Sequence, residues 1–311
     1  MTYLDKIMGY NIPHLSPDSG ETGIFGGGSH GDLSNTIDFI CINSTGNAFN
    51  FGDITTSRSL LAATSNGAND RGVFASGSST NIIDYITIST PGDATNFGDL
   101  STSSFTWGGC SNNTNERGVF GGGNSQNLID YITINSAGDA TDFGDLTNSR
   151  TYTAGLSNST NERGVFGGGE LVGDVQVNTI DYITINSTGN ATNFGDLTDV
   201  SSLPAATSNL TNERGVFGGG DNGVAPKINV IAYITINSTG DATNFGDLTE
   251  IKYGVAATSN GTSERGAFGG GNTATGATNT IEYITINSAG DATDFGDLTE
   301  ARRYSAATSD A

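Results

Sequence analysis

Few side chains in this sequence are of a type and spacing that could do chemistry. There are two histidines, His14 and His30. A His-based nucleophile triad or a His-rich metal site would have almost nothing to draw on. The two cysteines, Cys41 and Cys110, fall in different repeats at different strand positions. That predicts two buried free thiols, not a disulfide, in a chain that folds in a reducing cytoplasm. Aspartates are better patterned: Asp53, Asp99, Asp145, Asp196, Asp247 and Asp297 follow a Phe-Gly pair each time. Paired carboxylates can do acid–base work. Six equivalent copies point instead to a structural bond needed in every repeat, because an active site is usually singular. Arg71, Arg117, Arg163, Arg214 and Arg265 also share one repeated position and read as structural hydrogen-bonding partners. The Gly triplets follow strands but open no helix, so they are close-packed backbone and not phosphate loops. Asn-x-Ser/Thr sites such as Asn43, Asn158 and Asn237 arise by chance in an Asn/Ser/Thr-rich chain. The expectation is a protein without catalytic residues, cofactor or metal.

The elements that carry these residues repeat. Phe before a Gly-rich triplet recurs at Phe25, Phe74, Phe120, Phe166, Phe217 and Phe268, and Phe-Gly-Asp starts at Phe51, Phe97, Phe143, Phe194, Phe245 and Phe295. A fixed period must be found first, because missing it misreads the fold. Each of the six repeats reads as four short strands, exemplified by Ala62 to Asn66, Arg117 to Gly123, Ile129 to Ile134 and Ala94 to Leu100. The third strand is apolar on both pleat faces, with Ile129 and Tyr131 on one and Ile132 and Ile134 on the other. Such a strand needs cover on both sides, which stacked blades provide. The chain starts its repeats on a second strand, Thr22 to Gly28, and leaves on a first strand, Arg303 to Asp310. Pairing the two ends closes a ring and removes edges that invite aggregation. The predicted fold is all-β: a six-bladed propeller of four-stranded blades over residues 21–311, closed by the C-terminal strand, with an arm over residues 1–20.

The chain has 311 residues, 46 of them Gly, and a formal net charge of −21. No basic stripe exists to displace counterions, so nucleic acid and anionic membrane surfaces are poor partners. No apolar run approaches the roughly 20 residues of a membrane span, so no membrane insertion is expected. The opening MTYLDKIMGYNIPHL has no cationic region before an apolar core and does not read as a secretion signal.

The order of basic residue, small residues, Phe-Gly-Gly, acidic-aromatic strand, aromatic and Leu resembles the kelch repeat over residues 21–311. Phe stands where that family has Trp. The resemblance implies the propeller architecture and says little of activity. The copper centre of galactose-oxidase-like kelch propellers would lack its ligands here. Phe-Gly-Asp is similar to the integrin-type propeller repeat, but no Asp-x-Asp-x-Asp-Gly calcium loop accompanies it.

Length varies in one place. The third-strand Ile lies 14 residues before the Phe of Phe-Gly-Asp in all six repeats, and that Phe lies 23 before the next Gly-triplet Phe in all five cases. Only the loop between second and third strands changes. It is short at Ser78 to Ile82 and Asn124 to Leu128, and long at Ser29 to Thr36, Glu170 to Thr179, Asp221 to Val230 and Asn272 to Thr280. Insertions in one loop class mark one face, often the binding face. In kelch-like propellers that loop shares a ligand-holding rim with the fourth-to-first connection. The candidate binding residues are Glu170, Leu171, Val172, Asp174, Val175, Asp221, Val224 and Ile228, the apolar ones for buried area and the acids for partner choice. In the arm, Tyr3, Leu4, Ile7, Met8, Tyr10 and Ile12 are too apolar for a free tail and suggest docking in assembly. The near-identical Asn/Thr/Gly/Asp-rich repeats resemble virion structural proteins of marine tailed phages. This implies a tail, fibre or capsid-surface component, folded in a host cytoplasm, whose partners are other virion or assembly proteins. A lectin-like propeller binding cell-surface glycan, and a cytoplasmic bacterial scaffold for protein partners, are the alternatives.

Overall fold

The computed structural model describes residues 21–104, 108–124, 126–224 and 227–311. Six four-stranded antiparallel sheets stand around a central axis. From the axis outward, blade one consists of Ala306–Ser309, Thr22–Gly26, Thr36–Cys41 and Phe49–Asp53. Blade two is Ala62–Ser65, Arg71–Ala75, Thr80–Thr87 and Thr95–Ser104, and blade three is Gly108–Ser111, Arg117–Gly121, Leu128–Thr133 and Thr141–Asp145. Blade four is Ala154–Ser157, Arg163–Gly167, Thr179–Thr184 and Thr192–Asp196. Blade five is Ala205–Ser208, Arg214–Gly220, Ile228–Thr235 and Thr243–Asp247, and blade six is Ala256–Ser259, Arg265–Gly269, Thr280–Thr285 and Thr293–Asp297. The last strand of the chain is thus the innermost strand of the first blade. Its register is Gly23 with Ser309, Ile24 with Thr308, Phe25 with Ala307 and Gly26 with Ala306. The expected closure is present. Among the described residues no helix is long and apolar enough to cross a membrane.

The core is divided. Each of six apolar clusters joins one blade to the next. Ile129 packs towards blade four, while Ile132 and Ile134 pack towards blade two. This is why the third strand is apolar on both faces. At five of the six junctions the second-strand Phe lies over the Gly that follows the corresponding Phe in the preceding blade, blade two having Ala75 at that place: a Cβ on Gly167 would come within 2.6 Å of the Phe217 ring. The next two residues, Gly168 and Gly169, have φ of +68° and +116° and press against backbone carbonyls of the fourth-to-first connections. The five Gly triplets are close-packed backbone, as expected, while blade two accommodates Ala75 and Ser76 at the first two of these positions.

Polar contacts repeat at every blade junction. Arg71, Arg117, Arg163, Arg214 and Arg265 each donate to a carbonyl of the next blade, at Ile134, Ile185, Ile236, Ile286 and Ile42. Each also lies 4.3–4.5 Å above the ring of a Tyr in its own blade, a favourable cation–π placement. These arginines are the structural partners their spacing suggests. The Phe-Gly-Asp aspartates also sit at junctions, but the bond is made by their backbone. The amide of Asp53 donates to Oδ1 of Asp93 at 3.0 Å, and that of Asp297 to Oδ1 of Asn47 at 3.1 Å across the closing junction. The adjacent Gly52 admits the hairpin of the next blade, whose Gly92 carbonyl occupies the place of a Cβ.

Of the thiols, Cys110 is buried and Cys41 is half-buried, and both are free. Burial pushes the Cys110 thiol above its ordinary pKa.

Candidate functional site

The upper rim of the ring combines the second-to-third loops with the fourth-to-first connections. Backbone pairing ties them together: Ser29 with Arg303, Thr151 with Glu170, Ser202 with Asp221 and Tyr253 with Asn272. These four ties belong to the four long loops. In blades one, four and six the loop folds into a small hairpin, at Ser29–His30 with Asp32–Leu33, Glu170–Leu171 with Val175–Gln176, and Asn272–Thr273 with Gly276–Ala277. In blade five the two flanking strands lengthen instead, around a bulge at Gly218/Gly220. The second-to-third loops are longer in these four adjacent blades than in blades two and three.

The loops of blades four and five touch, since the Gln176 side chain occupies the place of a Cβ on Gly223. Glu170 accepts from Gln176 Nε2 at 3.0 Å, and Asp221 from Lys227 Nζ at 2.6 Å. Burial raises the pKa of Glu170, and Asp174 and Asp221 add to the rise. Val172, Val175 and Val224 are 76%, 52% and 62% exposed. Leu171 and Ile228 are half-buried and belong more to the loop than to its surface. The rim candidates therefore converge on one surface. Its free apolar groups are the three valines, and Asp174 is its exposed acid. The arm residues Tyr3, Leu4, Ile7, Met8, Tyr10 and Ile12 lie outside the described residues.

The rim is anchored by ion pairs that the repeat markers did not suggest. Arg58 meets Asp84 at 2.7 Å, Arg150 meets Asp181 at 3.0 Å, Arg302 meets Asp38 at 2.7 Å, and Lys252 meets Glu282. Every one of these side chains is 0% exposed. Each cation sits five residues after a Phe-Gly-Asp aspartate, and each acid is on a third strand. Burial lowers the pKa of all three arginines, opposed by the paired carboxylates. In blade five the same positions hold Ser201 and Ala232, beside a cavity of about 20 Å³. In blade three they hold Ser104 and Asp130. Asp130 is fully buried and accepts from the Ser101 amide and hydroxyl at 2.7–2.9 Å. Burial raises its pKa against those hydrogen bonds.

At the centre of the rim is the channel mouth. Leu60, Tyr152, Leu203, Gly254 and Tyr304 occupy equivalent positions with φ between +55° and +63°. They are joined in sequence around the ring: Leu203 donates to Tyr152, Gly254 to Leu203, Tyr304 to Gly254 and Leu60 to Tyr304, at 2.8–3.2 Å. Left-handed backbone at a non-Gly residue costs on the order of 1 kcal/mol, so this run of bonds must hold it. Tyr253 and Tyr304 lie 6.1 Å apart, Arg303 stacks over Tyr304 at 5.1 Å, and Asn272 bonds both Arg303 Nη1 and the Tyr253 hydroxyl. Burial raises the pKa of the Tyr304 phenol, and so does Tyr253. Beneath the mouth is a cavity of about 90 Å³. Buried Ser305 Oγ and Arg303 Nε find no hydrogen-bond partner among the described residues. A waist of Ala63, Gly109, Gly155, Ala206, Ala257 and Ala307 separates this cavity from a second of about 100 Å³ below.

Among the described residues, no three His, Cys, Asp or Glu side chains gather where they could hold a metal. No protein-family model and no curated protein matches this sequence.

Proposed function

We propose that the chain is a non-enzymatic structural or attachment module that binds a macromolecular partner on its upper rim. One observation carries this reading. Seven large hydrophobic side chains are exposed among the described residues, and six of them, Leu33, Val172, Val175, Val200, Val224 and Ile251, lie on the upper rim over the blades with long loops. Scattered exposed apolar groups are ordinary, but segregation to one polar-rimmed face marks an interaction site. Around them are the acids Asp32, Asp174, Asp199, Glu250 and Glu300, while the rim cations Lys227 and Arg303 are already engaged. A protein surface that is apolar with basic side chains fits this rim. The Asn/Thr/Gly/Asp-rich near-identical repeats favour a place in a phage virion, as a tail, fibre or capsid-surface component joined to other virion proteins. The chemistry asked of such a protein is cohesion and contact, with no cofactor.

The test is to shorten residues 170–179 and 221–230 to the length of Asn124–Leu128. Blades two and three already close with loops of that length, so folding should survive. Incorporation into the native particle, or binding of the partner, should be lost. Undiminished incorporation would place the interface on the lower rim or the outer strands.

A second reading is favoured by the channel mouth. Tyr253 and Tyr304, with Arg303 and Asn272, put aromatic faces beside hydrogen-bonding groups. Aromatic faces with convergent polar groups are a setting in which small ligands are held, and a glycan fits one. Retention on a glycan array that disappears in Tyr304→Ala would support it. An array with no retained glycan would remove it.

A further inference from the structure

The lower rim carries a polar relay at each blade junction, and one junction breaks its pattern. An Asn follows each innermost strand in five blades. Its Oδ1 accepts from the amide that opens the second strand of its own blade: Asn66 from Arg71, Asn112 from Arg117, Asn158 from Arg163, Asn209 from Arg214 and Asn260 from Arg265, at 2.6–2.7 Å. Its Nδ2 donates to the next blade. At four junctions it donates both to a glutamate, Glu116, Glu162, Glu213 or Glu264, and to an amide oxygen, that of Asn135, Asn186, Asn237 or Asn287, at 3.0–3.1 Å; at the junction of blades six and one it donates to the Asn43 amide oxygen, and Asn43 in turn donates to Glu21. Each junction thus has an N–H pointing at the neighbouring acid or amide.

The sixth position is in blade one, on the strand that closes the ring. There the residue is Asp310, only 3% exposed, and its Oδ1 accepts from the Thr22 amide at 2.8 Å. The neighbouring blade presents Asp70, at the place held by the glutamates elsewhere, with its oxygens bonded by the amide and hydroxyl of Ser89. An ionised Asp310 has no hydrogen to offer. With Asp310 ionised, the junction of blades one and two carries a carboxylate at both of these positions, where the others carry an amide and an acceptor. A protonated Asp310 offers Oδ–H in the direction that Nδ2–H takes in the other blades.

We propose that Asp310 and Asp70 form a proton-operated latch on the junction of blades one and two, tight when Asp310 holds a proton and looser when it is ionised. Asp70 is the charged side chain that acts on Asp310 from blade two. Thr22 of the second strand is uncharged, and Glu21, next to it, is engaged by Asn43. The direction agrees with the electrostatics. Burial raises the Asp310 pKa from 3.8 to about 6, against hydrogen bonds from Thr22 and from its own amide, and Asp70 adds a smaller push in the same direction. A carboxyl whose folded pKa is raised stabilises the fold fully below its unfolded value. That stabilisation is lost as pH rises through the folded value.

Thermal and denaturant unfolding of the full chain between pH 4 and pH 8, beside Asp310→Asn, tests the latch. Asn restores the donor found in the other five blades and does not titrate. The folding equilibrium of the unmodified protein relative to the variant should fall about tenfold between pH 5 and pH 7, and the variant should be the more stable at pH 7. Parallel profiles, or a variant less stable at pH 7, would overturn the proposal. Amide exchange supplies a check on the unmodified protein. Opening of residues 23–26, corrected for intrinsic rate, should increase from pH 5 to pH 7 relative to the equivalent residues 164–167 of blade four. Equal pH dependence of the two strands would also overturn it.

Discussion

Deleting residues 303–311 is expected to lower the melting temperature by at least about 10 °C, and to leave a species that aggregates when warmed. The deletion removes the innermost strand of blade one and with it the whole ladder to Thr22–Gly26. It also removes the backbone pairing of Ser29 with Arg303 and the bond from Asn113 Nδ2 to the Ala311 carbonyl. Each hydrogen bond contributes about 1 kcal/mol net. The larger loss is topological. Strand 306–309 packs beside both Ala62–Ser65 and Ala256–Ser259, so its absence opens two junctions together and exposes the edge of strand 22–26 to pairing with other chains. Differential scanning calorimetry and light scattering would measure this. An unchanged melting temperature would show that ring closure contributes little.

The second large effect is expected at the buried ion pairs, and its sign depends on how many partners are changed. Asp181→Ala leaves the Arg150 guanidinium buried without its carboxylate, and should cost about 3–5 kcal/mol. Arg150→Met strands a carboxylate still bonded by the Thr147 amide and hydroxyl, and should cost less. The double variant should recover most of the loss, giving a coupling of about 2–4 kcal/mol, because an apolar pair of suitable volume often equals a buried ion pair. Blade five is the natural precedent, with Ser201 and Ala232 at these positions and no charge on either. A denaturant-unfolding cycle on the four proteins is the measurement. Additive single effects would mean that the pair is not coupled in the folded ring.

Much of the fold was legible because the repeat exposes its own constraints. The constant spacings of 14 and 23 residues reflect a third strand, hairpin and fourth strand that every blade must pack identically against its neighbour. The phase of the two ends predicted the closing ladder. The long loops were legible as loops, but their hairpins were not, since Glu170–Leu171 and Val175–Gln176 are two-residue strands too short for a period. The ion pairs were legible only in part. Their acids stand in the Ile-Asp-Tyr run, which reads first as a β-branched strand. Their cations fall in connections with no pattern of their own. Aligning the six repeats would have found them: the two columns change together, as Arg with Asp three times, Lys with Glu, and Ser with Ala, with Ser104 and Asp130 the exception. The Phe-Gly-Asp aspartates misdirected attention to carboxylates when the junction uses their amides. The mouth residues Leu60, Tyr152, Leu203, Gly254 and Tyr304 share a backbone conformation and no side-chain type, so nothing in composition marks them.

The central claim is that the lopsided upper rim is the binding surface. Hydrogen exchange of the full chain, isolated and then within its native assembly, tests it most directly. The account predicts added protection at residues 29–33, 170–177 and 221–230 with little change on the outer strands. Protection confined to the outer strands, or to the lower-rim turns such as 113–115 and 159–161, would contradict it.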